Sequence, residues 1–209
     1  MRYTRLVIRL FSSLNRFMPL PPPTVSREPL HTRTIRAQAF ARVDGQWDIE
    51  AELIDIKAYD FPHAKGGVHK AGTPVHHMLL RITINDELTI TDAVAVYDAA
   101  PYGQLCVSIS DAYQQLIGLN LVKGFRRAVR ERFSKTAGCT HMTELTDVLP
   151  TVAIQSMANR VHSTNPPTGD EPVKPFHIDG CHAMHSSGEV VKVKYPRWYI
   201  APQVEVAGV

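Results

Sequence analysis

Apolar and polar residues alternate with period two through residues 33–61 and again through 78–99. That period predicts strands that bury one face and leave the other wet. In the first stretch the dipeptide Asp44-Gly45 predicts a tight two-residue hairpin turn, because a turn of that kind needs positive φ at both positions. Such a turn sets Arg42 opposite Trp47 and Phe40 opposite Ile49. Trp47, Ile49, Ala51 and Leu53 then share the buried face, while Asp48, Glu50 and Glu52 line the other face opposite Ala41, Ala39 and Ala37. The second stretch turns around Asn85-Asp86. Met78, Leu80, Ile82 and Ile84 point one way and Arg81 and Thr83 the other, so Arg81 is a counter-charge for the acidic face if the two hairpins adjoin.

After residue 110 the apolar spacing changes to three and four. "SDAYQQLIG" predicts a helix capped by Ser110 or Asp111, buried through Ala112, Tyr113, Leu116 and Ile117, and stopped by Gly118. "KGFRRAVRERF" turns Phe125, Ala128, Val129 and Phe133 inward and Arg126, Arg127, Arg130 and Arg132 outward. In "MTELTDVLPTVAIQSMANRV" Pro150, which has no N–H to donate, must kink or divide the helix. Near the end, residues Glu189–Tyr195 read as a last short strand. The predicted class is α+β: an antiparallel sheet of about four strands in two hairpins, then three helices and a C-terminal tail with a short strand.

Around that domain, assigned to 28–162, lie an extension (1–27) and a proline-rich linker with a tail that folds back (163–209). The first 17 residues hold four arginines, no acid, and Leu6, Leu10, Leu14 and Phe17 at helical spacing. They read either as an amphipathic membrane-surface segment or as a start assigned ahead of Met18. At 209 residues and 44% hydrophobic, the chain can bury one substantial core. A net charge of +3 is a weak signal for nucleic acid, and no run reaches the roughly 20 apolar residues of a transmembrane helix. Cys106, Cys139 and Cys181 form no C-x-x-C pair, which favours a reducing, cytoplasmic setting over a disulfide framework. Any partner is left open between another protein and a second copy of the chain.

Two segments carry candidate chemistry. In "GCTHMTEL" Gly138 allows a sharp turn, and Cys139 stands at a helix start whose unpaired N–H groups favour a thiolate. His141, two residues on, points away from Cys139 unless the cysteine lies in the turn itself. In "DGCHAMH" Cys181, His182 and His185 lie near Asp179. If the tail reaches the helix start, Cys139, His141, Cys181 and one of His182 or His185 form a Cys/His set suited to zinc or iron. The competing active reading has Cys139 as nucleophile, with His141 or a loop histidine such as His77 as base. A third is a non-catalytic module that binds a small ligand or a partner between sheet and helices.

The segments "LHTRTIRAQAFARVDGQWDIEAELID", "HHMLLRITINDELTITDAVAVYDAAPY", "LIGLNLVKGF", "GCTHMTELTDVLPTVAIQSM" and "YPRWY" together resemble the bacterial family known as domain of unknown function 2889, from about Met18 to Tyr199. The resemblance implies a bacterial, soluble protein and brings no residue roles. At fold level, strands followed by helices with a Gly-Cys pair opening one look like the scaffold proteins of iron–sulfur cluster assembly. The cysteine spacing here departs from their three-cysteine pattern.

Overall fold

The computed structural model describes residues 20–63, 66–162 and 173–202. The chain divides into two compact units, 1–30 and 31–209. In the first, residues 20–30 contain no helix or strand; the proposed amphipathic segment and alternative start lie outside the described residues, as does most of the linker.

The second unit opens with strands β1 (His31–Ala41) and β2 (Trp47–Lys57). A two-residue-strand hairpin follows, β3 (Phe61–Pro62) and β4 (Val68–His69), and then β5 (Pro74–Ile84) and β6 (Ile90–Ala99). The main sheet is antiparallel in the order β1-β2-β5-β6. Helices α1 (Gln104–Val107), α2 (Phe125–Phe133), α3 (Thr140–Leu145), α4 (Leu149–Met157) and α5 (Glu189–Lys194) come after it, with a 3₁₀ turn at Ser110–Leu116. This is the expected α+β order. No helix among the described residues is long and apolar enough to cross a membrane.

The core lies between one sheet face and the helices. Trp47, Ile49, Ala51 and Leu53 from β2 and Met78, Leu80, Ile82 and Ile84 from β5 meet Tyr113, Leu116, Phe125, Val129, Phe133, Met142, Leu145 and Leu149. Helix α3 packs on β2 and β5, and α4 on β1 and β2. Burying each of the large side chains contributes about 1.5–3 kcal/mol. Pro150 divides the last helical stretch into α3 and α4, where it takes a first-turn position that needs no donor.

Four expectations change. The first hairpin pairs Ala41 with Trp47 and Phe40 with Asp48. The Arg42 N–H donates to the Gln46 carbonyl, and Gly45 alone in the loop has positive φ, at 80°. A loop one residue longer than a two-residue turn slips the register by one and reverses every side chain on β1. The acidic face of β2 therefore opposes Phe40, Gln38 and Arg36, not three alanines. It is also paired: Asp48 with Arg42 (3.1 Å), Glu50 with Arg81 (3.7 Å) and Glu52 with His77 (2.8 Å). Arg81 is thus the counter-charge the adjoining hairpins required.

Second, Ser110–Leu116 is 3₁₀, so Tyr113 and Leu116, three apart, are buried while Ile117 is exposed. Third, His77 is not a loop histidine but lies in β5 with its neighbour His76, the two on opposite faces. Fourth, Glu189–Lys194 is helix rather than strand. Val191 and Tyr195, four apart, bury themselves with Ile178 in a separate small cluster, and a helix is what puts i and i+4 on one side.

Candidate functional site

The alternation that buries Trp47 through Leu53 continues one step to Asp55, placing a carboxylate on the helix-facing side of the sheet at 3% exposure. The register sets Arg33 of β1 and His76 of β5 directly beside it, so three neighbouring strands present Arg33, Asp55 and His76 as one cross-sheet row. Helix α3 lies over that row. Its His141 ring stacks on His76 with centroids 3.8 Å apart, and Glu144, one turn along, reaches Arg33.

Asp55 is closely held. Oδ1 accepts from His31 Nε2 (3.0 Å) and Arg33 Nε (2.8 Å); Oδ2 accepts from Arg33 Nη2 (2.7 Å) and His76 Nδ1 (2.9 Å). His141 Nε2 stands 3.9 Å from Oδ2. Burial pushes the Asp55 carboxyl upward, but bonds and charge from Arg33, joined by His31 and His76, outweigh it and hold the group at about 2. Burial drives His76 and His141 the other way, below the ordinary histidine value. The Asp55 contacts oppose this at His76, while neighbouring His76 and Arg33 reinforce it at His141. At neutral pH the site is therefore an ionised carboxylate and two neutral imidazoles. Burial notwithstanding, Arg33 is pushed above its usual value, chiefly by its bonds to Asp55.

One ligand atom from each of Asp55, His76 and His141 lies within 4.8 Å of the other two. Metal–ligand bonds of about 2.1 Å in a tetrahedron need ligand atoms about 3.4 Å apart, so small side-chain shifts close this set around an ion. Among the described residues this is the group of His, Cys, Asp and Glu that converges in this way.

Of the residues singled out from sequence, His141 joins the group, while Cys139, Cys181, His182 and His185 do not. Cys139 occupies the position before α3, and its side chain packs against the hydrophobic core. Its N–H donates to Tyr113 Oη and its carbonyl accepts from the same hydroxyl, both at 2.9 Å. The residue is only partly buried, but its backbone is locked and α3 is six residues long. Gly138 holds this corner for a reason other than φ, which is extended at −150°. A Cβ there would lie 2.6 Å from the Phe133 carbonyl oxygen. Cys181, His182 and His185 are exposed, and His185 Nδ1 takes the Ser187 hydroxyl at 2.8 Å.

The missed residues are Asp55, His76, Arg33 and Glu144. Asp55 was within reach of sequence reasoning, since a carboxylate at a buried-face position of a strand must have partners. His76 required β5 to start at Pro74, which the neighbouring glycines and prolines obscured.

A family model described as protein of unknown function (DUF2889) matches residues 31–155, more than half of the chain and all of the site. No curated protein and no solved structure matches it.

Proposed function

The chain belongs to the DUF2889 family of proteins of unknown function, and on that premise we propose that it binds a divalent metal ion through Asp55, His76 and His141. The observation that supports this is one carboxylate and two neutral imidazoles whose ligand atoms lie within 4.8 Å of one another between sheet and helix α3. Three nitrogen and oxygen donors with further positions open is the arrangement of catalytic zinc and of the two-histidine, one-carboxylate iron(II) centres. The sulfur of Cys139 is not needed. Side-chain exposures of 14% at His76 and 29% at His141 leave room for a bound water or an anionic ligand. Such an ion would act as a Lewis acid on that ligand.

Anaerobic purification followed by elemental analysis and Co²⁺ titration tests the reading. The expected result is one tightly held ion, lost in His141→Ala and His76→Ala and retained in Cys139→Ser. Wild-type protein that carries no zinc or iron and shows no saturable Co²⁺ binding overturns it.

A second reading has its own observation. His76 Nδ1–H donates to Asp55 at 2.9 Å, which leaves Nε2 as a proton acceptor oriented by a carboxylate. This metal-free acid–base site is favoured if the chain stays empty of metal while His76 reacts rapidly with diethylpyrocarbonate and its Asp55→Asn counterpart does not.

A further inference from the structure

The strongest clue to how this site works is a residue that no metal centre needs. Arg33 forks onto both oxygens of Asp55 and sends its third nitrogen to Glu144, so one guanidinium bridges two carboxylates beside two imidazoles. With Arg33 Nε, Arg33 Nη2, His31 Nε2 and His76 Nδ1 all on Asp55, every lone-pair position of that carboxylate is taken. An ion can bond Asp55 only by replacing one of them.

We propose that Arg33 is a built-in stand-in for the cation: it occupies the site's positive position when the ion is absent, and an arriving divalent ion displaces it, with Glu144 joining Asp55, His76 and His141 as fourth ligand. The metal reading above supplies the identity of the displacing charge; the placement of Arg33 is independent of it.

Four observations support the exchange. Asp55 and Glu144 both bond this one guanidinium at a partly buried site, so the ion-free protein needs a cation there to hold the two carboxylates. With Arg33 in place, two carboxylates and one guanidinium leave a single negative charge that attracts cations; with a divalent ion instead, the cluster is neutral. Arg33 also has somewhere to go. It lies on the edge strand β1 with its side chain 29% exposed, and its flexible stem can carry the head into water. Finally, His141 and Glu144 are three apart on α3 and both reach the row, His141 by stacking on His76 and Glu144 by bonding Arg33.

The test uses the EDTA-stripped full chain and Co²⁺, followed by calorimetry and visible absorption, with circular dichroism to verify folding. Arg33→Gln is expected to bind Co²⁺ about tenfold to a hundredfold more tightly than wild type. The double variant Arg33→Gln/Glu144→Gln is expected to lose that gain and the associated change in the Co²⁺ spectrum. Should Arg33→Gln fail to fold without an ion, Arg33→Lys keeps the charge but loses the fork, and its tighter Co²⁺ binding supports the same exchange.

The outcomes separate the two claims. His141-dependent binding in wild type with no tightening in a folded Arg33 variant overturns the displacement and leaves the metal reading standing. Binding in Arg33→Gln but not in wild type overturns the displacement, because the ion then fails to remove Arg33, and with it the metal reading of the wild-type chain. No binding in any of them overturns both.

Discussion

Replacing Asp55 by asparagine keeps the volume of the side chain and deletes its charge, so it isolates the electrostatics of the row from packing. The carboxylate is buried and takes four donors. Its pKa lies at about 2 against an ordinary 3.8, which corresponds to about 2.5 kcal/mol favouring the ionised form in the folded state. The amide also turns an NH₂ donor toward the N–H groups of Arg33 or His76, and an unmatched donor there costs about 1 kcal/mol more. The expected loss is about 3–4 kcal/mol, a large part of a stability that for most domains is about 5–15 kcal/mol. Urea denaturation at neutral pH with EDTA present measures it.

The pH dependence supplies the sign. A depressed carboxyl pKa stabilises the fold above the ordinary value of 3.8, and that contribution disappears as pH falls toward about 2. Wild type should therefore lose, between about pH 4 and pH 2, an acid-dependent increment that Asp55→Asn lacks. A variant within about 0.5 kcal/mol of wild type would refute the reasoning, because the row would then be solvated and loosely paired.

Gly138→Ala should destabilise by about 1–3 kcal/mol, read as a lower Tm, because the new Cβ meets Phe133 backbone at 2.6 Å and α3 must shift; Co²⁺ affinity should fall with it, since α3 carries His141. The Tyr97 hydroxyl is buried without a hydrogen-bond partner, and burial with the neighbouring Cys139 thiol pushes its pKa up. Tyr97→Phe should consequently be neutral or stabilising by up to about 1 kcal/mol, and a clear loss in urea denaturation would reveal a partner the geometry lacks. Asp179 accepts from Lys174 Nζ and the Ser186 N–H, each at 2.7 Å, and lies at about 2, held down chiefly by Lys174. Asp179→Asn should lower the protection of the Ser186 amide in hydrogen exchange at neutral pH, and wild type should approach the variant only as pH falls from about 4 toward 2.

Read along the chain, local chemistry settled a good deal. Alternation alone separated the buried face of β2 and β5 from the wet one, Pro150 ended one helix and began the next, and the glycine-cysteine corner marked where α3 starts. Those features depend on residues within a few positions of one another, which a sequence displays directly. The register of β1 did not yield, because a single extra loop residue at 42–46 reverses a whole strand and only the closed hairpin reveals it. Glu189–Lys194 likewise has a pattern that suits strand or helix, and burial of Val191 with Tyr195 chose the helix.

The site itself was a tertiary outcome. Arg33, Asp55, His76 and His141 are separated by 22, 21 and 65 positions, and no spacing rule joins them. Strand pairing brings the first three into one row, and helix packing lowers the fourth onto it. Sequence named His141 but supplied it with cysteine partners, since neighbours in the chain are the only neighbours a sequence can show. Folding gave it a carboxylate and a second imidazole instead, because those were the polar groups the sheet had already buried beneath α3.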